Sequence, residues 1–114
     1  MAILARKFHR TTGLRRAFRK GLAANLIMKG KIQTTVARAK ETRPLVERYI
    51  TLAKTQEVSK LRTLLAKLPK NAAEKLFYEI APKYMDRKGG YLRIIKQTTQ
   101  RFRDGSEMAT IEFV

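Results

Sequence analysis

Cysteine does not occur in the 114 residues, so disulfides and thiolate metal sites are excluded and nothing points to an oxidising compartment. Histidine occurs once, as His9, which cannot build a zinc site alone. No apolar run approaches the roughly 18–20 residues that a membrane-crossing helix needs. The most telling shortage is of acid. Nine Asp and Glu stand against 26 Lys and Arg, a formal net charge of +17, and no acidic residue precedes Glu41.

These shortages remove most enzyme chemistry. Without cysteine, and with one histidine inside a basic segment, the usual nucleophile and base pairings have no members. The paired Gly89-Gly90 matches neither G-x-x-x-x-G-K-[ST] nor G-x-G-x-x-G, because no third glycine and no following helix supports it. We therefore expect no catalytic residue, no metal and no cofactor.

What is present is a chain of one-domain length, long enough to bury roughly two-thirds of its unfolded surface around one small core. Its charge is uneven: residues 1–40 carry eleven basic side chains and no acid, so +11 of the +17 sits there. Such an excess repels itself and destabilises the compact state unless a polyanion offsets it, which favours a nucleic-acid partner. An Arg-rich, acid-free start is also the composition of an organellar transit peptide. Here it runs into an amphipathic helix without a removable linker, so we expect it to act as a binding arm.

The pattern along the chain predicts a basic arm over residues 1–12 and one domain over 13–114. Thr11 and Thr12 are candidate caps for a helix from about Gly13 to Lys29, ended by Gly30, with Leu14, Phe18, Leu22 and Leu26 as its buried stripe. On its other side Arg15–Arg19 and Arg16–Lys20 are like-charge pairs at i,i+4, each costing a few tenths of a kcal/mol on an isolated helix. Ile32 to Val36 alternates as a short strand, after which Thr35 caps a second helix through Lys54. Pro44 lies inside that helix, predicting a kink or a fresh start near Arg43.

A third helix places Val58, Leu61, Leu65 and Leu68 on one face and stops at Pro69. A fourth opens on Asn71 and Glu74 as a capping box, buries Leu76, Phe77 and Ile80, and stops at Pro82. "GYLRIIKQ" and "MATIEFV" read as two antiparallel strands beside the early one. The order α-β-α-α-α-β-β gives an α+β fold of two layers, about four helices packed on one face of a small three-stranded sheet.

The RNA-binding candidates follow from charge and stacking. In the arm they are Arg6, Lys7, His9, Arg10 and Thr11; in the first helix, Arg15, Arg16, Arg19 and Lys20; Arg38 joins them ahead of Glu41. Gly89-Gly90 is most simply a strand-entry turn needing φ > 0. Its neighbours Arg87, Lys88, Tyr91 and Arg93 add charge and an aromatic face, so turn and RNA surface are compatible readings. Arg101 and Arg103, either side of Phe102, make a smaller second patch.

Four blocks in register carry a resemblance over nearly the whole chain, from about Arg6 to Val114. They are Lys7, Arg10, Thr11, Arg15 and Ala17 at the start; Ile32, Thr34, Thr35, Ala39, Lys40, Glu41, Arg43 and Pro44 next; then "GGYLRI"; and finally "MATIE". Together they resemble the bacterial-type large-subunit ribosomal protein L seventeen family. That resemblance implies a cytoplasmic component of the large ribosomal subunit, an organellar ribosome being the alternative location. It implies binding to 23S-type rRNA beside neighbouring ribosomal proteins, on the solvent side near the polypeptide exit tunnel. Met1 to Ala5 are less rich in Arg, His and Gly than the family's usual start, and Lys88 stands where the family commonly has Pro. The competing readings are a non-specific DNA-binding architectural protein and, less well supported by helices that have cores to fill, a membrane-surface protein.

Overall fold

The structure is a computed structural model that describes residues 12–100, 105 and 107–114. Helix α1 spans Thr12–Lys29 and is followed after one residue by strand β1, Lys31–Thr35. Gly30 makes that junction possible. Its φ of +83° is the left-handed conformation glycine adopts without steric cost, and its N–H reaches back 2.8 Å to the Leu26 carbonyl, satisfying one end of the helix. Among the described side chains of α1, which start at Arg16 and so leave out Leu14, Ala23, Leu26 and Ile27 are buried, whereas Phe18 and Leu22 are half-buried. The inward stripe is thus turned from the expected Leu22–Leu26 line, because neighbouring elements meet α1 on the Ala23 and Ile27 side.

Thr35 closes β1 and caps α2, Val36–Ala53, its hydroxyl accepting from the Arg38 N–H at 3.3 Å. Val36, expected to end the strand, is instead the first helical residue. No fresh start occurs at Arg43: Pro44 sits inside one continuous helix. Proline cannot donate to the Lys40 carbonyl, but Lys40 and Pro44 are both exposed, so water can take the freed group. Val46, Tyr49, Ile50 and Ala53 are buried, as their spacing predicts.

Helix α3 spans Val58–Lys67; Leu64 within it and Leu68 just past its end are buried, while Val58 and Leu65 face out. Helix α4, Lys70–Lys75, begins after Pro69, so Asn71 lies within it and no capping box forms. The chain then widens into a π turn over Leu76–Ile80 and tightens into a 3-10 turn over Ala81–Tyr84, with Pro82 in its first turn rather than ending the path. In the π register the Phe77 carbonyl would take its bond from residue 82, a proline with no N–H. Gln56, itself left-handed at φ 57°, donates from Nε2 to that carbonyl at 2.9 Å and to the Ala53 carbonyl at 2.9 Å.

Strands β2, Leu92–Gln100, and β3, Glu107–Phe113, complete an antiparallel sheet of order β1-β3-β2. Ile111 faces Ile32 on one side and Ile94 on the other, so the inner face is apolar through the middle of the sheet. Ala109, Ile111 and Leu92 join the helices in one core. The α+β arrangement, its two layers and its element order match those read from the sequence.

Candidate nucleic-acid interface

The N-terminal half of α1 has no acid in its first turn and holds Arg16, Arg19 and Lys20. Cations there oppose the positive end of the helix dipole as well as one another. Arg16 and Lys20 are exposed and Arg19 is half-buried. They meet Lys67 of α3 around a cleft of about 510 Å³ whose apolar surface comes from Leu45, Tyr49 and Ala66. No carboxylate stands among the residues that line it. Arg16, Lys20 and Lys67, all exposed beside a low-dielectric wall, focus potential, and that is a site for anionic groups. Burial pushes the Tyr49 phenol above its ordinary value, against the opposing charge of Arg48, so the ring stays neutral at physiological pH.

Arg38, on the first turns of α2, crosses back to α1, where its guanidinium lies 5.0 Å from the Phe18 ring centroid. Stacking of this kind restricts the guanidinium while keeping its charge. Phe18 therefore supports a cation instead of filling the core centre. At the other end of α1, Lys75 donates to the Met28 carbonyl at 2.9 Å, taking up a carbonyl of the last turn.

The glycine turn is built differently. Gly90 has φ +66° and requires glycine; Gly89 does not, and a side chain there would meet nothing within 4 Å. Arg87 and Lys88 are exposed. Tyr91 is not a stacking face: its ring is 1% exposed and packs edge-on against Tyr84 at 5.4 Å. Its hydroxyl accepts from Lys54 Nζ at 2.9 Å and Thr51 Oγ1 at 3.4 Å and donates to the Arg87 carbonyl at 3.3 Å. Lys54 also donates to that carbonyl. Burial raises the Tyr91 phenol's pKa, but the Lys54 and Thr51 hydrogen bonds and the Lys54 charge outweigh it, leaving the group below the ordinary value. Tyr91 thus holds the turn in place, and a base cannot reach its ring.

Arg93 is exposed but tied to Glu112 across the strands at 3.2 Å. Glu47 accepts from the Leu92 N–H at 3.3 Å and sits 3.8 Å from Arg43. Arg6, Lys7, His9, Arg10, Thr11, Arg101 and Arg103 lie outside the described residues, and Arg15 falls in the first turns of α1. Two useful residues escaped sequence reasoning. Lys67 reaches the cleft only through the packing of α3 against α2 and α4, and Lys54 reaches Tyr91 across 37 positions. Among the described residues no acid, histidine and cysteine cluster can hold a metal, and no helix is long and apolar enough to cross a membrane.

Residues 18–114 match the family described as Ribosomal protein L17. The chain belongs to that family. It is 48% identical over 114 residues to a protein named large ribosomal subunit protein bL17 from Persephonella marina, covering 98% of this chain and 92% of that one. The protein of the same name from Campylobacter jejuni is 50% identical over 110 residues, at 96% and 93% coverage. The Clostridium acetobutylicum protein is 45% identical and is matched along the full length of both chains. Membership makes this a structural ribosomal protein of the large-subunit type rather than an enzyme. The resemblance seen in the sequence is thereby established.

Proposed function

We propose that the chain binds and stabilises folded 23S-type rRNA in the large subunit of a cytoplasmic ribosome. The basic arm and α1 are its principal RNA-contacting parts, and it sits near the polypeptide exit tunnel beside neighbouring ribosomal proteins. The observation that carries this reading is the gathering of the exposed Arg16 and Lys20 of α1 and Lys67 of α3 at one cleft whose lining includes no carboxylate. A protein that gathers cations from two helices into one place incurs repulsion that a phosphate backbone relieves, and such contacts set position before they set sequence. The names of the curated relatives support the same assembly.

The test compares affinity for deproteinised 23S-type rRNA with affinity for duplex DNA at one stated salt concentration, alongside sucrose-gradient sedimentation of the tagged chain in cells. Preference for rRNA and migration with the large subunit are expected. Equal affinity for both nucleic acids, with the tagged chain staying at the top of the gradient, would instead establish a non-specific DNA-binding architectural protein.

A further inference from the structure

The helical run from α4 through the 3-10 turn keeps one side on the core: Ala73, Leu76, Phe77, Ile80, Ala81 and Tyr84 are all buried. Tyr78, Pro82 and Met85 lie between them in the chain and stand on the outer side, with Tyr78 60% and Met85 51% exposed. This outer side is also held still. The Tyr78 ring packs edge-on against the buried Phe77 at 5.0 Å, the Phe77 carbonyl is bonded by Gln56, and Pro82 fixes its own backbone angle. An aromatic ring already oriented loses little freedom when a partner covers it, and Tyr and Met are enriched where proteins meet.

The charge beside these apolar groups decides what covers them. Glu74 and Glu79 flank Tyr78, both exposed, and neither forms an ion pair with a described residue although the chain carries 26 Lys and Arg. Lys75, between them, is drawn away to α1, where it donates to the Met28 carbonyl. From Glu74 to Asp86 three acids stand against Lys75 and Lys83, a net charge of −1 in a chain of +17. A phosphate backbone is repelled by such a face, and a cationic side chain is attracted to it. A second copy of this chain brings its own +17 and is repelled as a whole. A different protein bound to the same rRNA is favoured, because neutralising that polyanion requires it to be basic too.

We infer that the outer face of Tyr78, Pro82 and Met85 docks a Lys- or Arg-rich segment of a neighbouring large-subunit protein. An apolar side chain of that segment packs on Tyr78 and Met85, and its cations lie beside Glu74 and Glu79. The inference rests on the place proposed above among other ribosomal proteins, and it adds which surface meets one of them and with what chemistry.

The test places a photo-crosslinking amino acid at position 78 of the full chain, isolates large subunits on a sucrose gradient, irradiates them and maps the cross-link by mass spectrometry. A cross-link to a Lys- or Arg-rich stretch of another ribosomal protein is expected. One to rRNA, or to a second copy of this chain, overturns the proposal. In parallel, tagged variants compete with wild type for incorporation into large subunits. Tyr78→Ala with Met85→Ala should lose roughly tenfold in incorporation, the usual effect of truncating an interface anchor. Its midpoint of chemical denaturation and its affinity for deproteinised 23S-type rRNA should stay those of wild type. Glu74→Lys with Glu79→Lys should also incorporate less well while binding the naked rRNA at least as tightly, a combination that an RNA contact at this face cannot give. Incorporation of both variants at the wild-type level overturns the docking face. Wild type that stays at the top of the gradient overturns the function proposed above, and this inference with it.

Discussion

The N-terminal half of α1 and the turn from Arg87 to Arg93 look alike as sequence, each a run of basic residues beside aromatics and glycine. The folded chain treats them in opposite ways. Around α1, cations from two helices gather at a cleft with no carboxylate in its lining. Around the turn, Arg93 is paired with Glu112, the Arg87 carbonyl is occupied by Lys54 and Tyr91, and the aromatic ring is buried. Local net charge therefore does not identify a binding surface. What separates the two regions is that the fold engages Arg93 and Tyr91 of the turn internally, whereas Arg16, Lys20 and Lys67 stand exposed around one cleft.

The largest way to break this contrast is to empty the turn's anchor. Tyr91→Ala removes a fully buried aromatic ring together with its packing on Tyr84 and its three-way hydroxyl network, and should cost about 3–5 kcal/mol of stability by chemical denaturation. The surviving folded fraction should keep its full salt slope toward rRNA, because the ring touches no phosphate. A flattened slope with normal stability would make Tyr91 an RNA-binding residue and erase the distinction between the regions.

A smaller effect tests the other side. Arg16→Gln with Lys20→Gln should lower the magnitude of the slope of log affinity against log salt by roughly 1.4–1.8, about 0.7–0.9 for each phosphate that no longer has a cation beside it. Stability should hold or rise by a few tenths of a kcal/mol, since a like-charge i,i+4 pair disappears. Arg93→Gln is the matched control: its partner is internal, so the slope should stand and stability fall by about 0–1 kcal/mol. Equal changes of slope in both variants would sink the comparison.

How much of this was legible in the sequence depended on whether the deciding partner was near in the chain. Gly30, the Thr35 cap and the order of elements rest on interactions within a few residues, and their chemistry is visible in the residue types. The buried face of α3 was not. Leu61, Leu64, Leu65 and Leu68 fit two stripes equally well, and only packing against the rest of the core selects Leu64 over Leu65. Pro44 follows the same logic: local preference ends a helix there, but the exposed face tolerates the missing hydrogen bond. In the candidate site, Arg16 and Lys20 could be proposed from local charge alone. Lys67 is brought to them from α3, and Tyr91's burial depends on Lys54 and Tyr84, so both lay beyond a local reading.

The smallest effect sharpens the contrast from within the turn. Tyr91 has its pKa lowered, chiefly by Lys54 and Thr51 overcoming burial, whereas burial raises Tyr49 and Tyr84 against the weaker opposing charges of Arg48 and Arg87. In a pH titration followed by tyrosinate absorbance, Tyr91 should therefore ionise before Tyr49 and Tyr84, and Tyr91→Phe should delete the early phase. The sign of the stability effect follows from linkage. A phenol whose folded pKa lies below its unfolded value of about 10 favours the folded state when ionised, so its contribution is complete above pH 10 and is lost as pH falls through the lowered value. Tyr49 and Tyr84 act the other way above pH 10, but they are present in both proteins and cancel in the difference. Wild type should thus gain stability relative to Tyr91→Phe as pH rises toward 10, with no further gain beyond it. A difference that shrinks over that interval would mean that burial, not Lys54, governs the hydroxyl, and that the turn is held by packing alone.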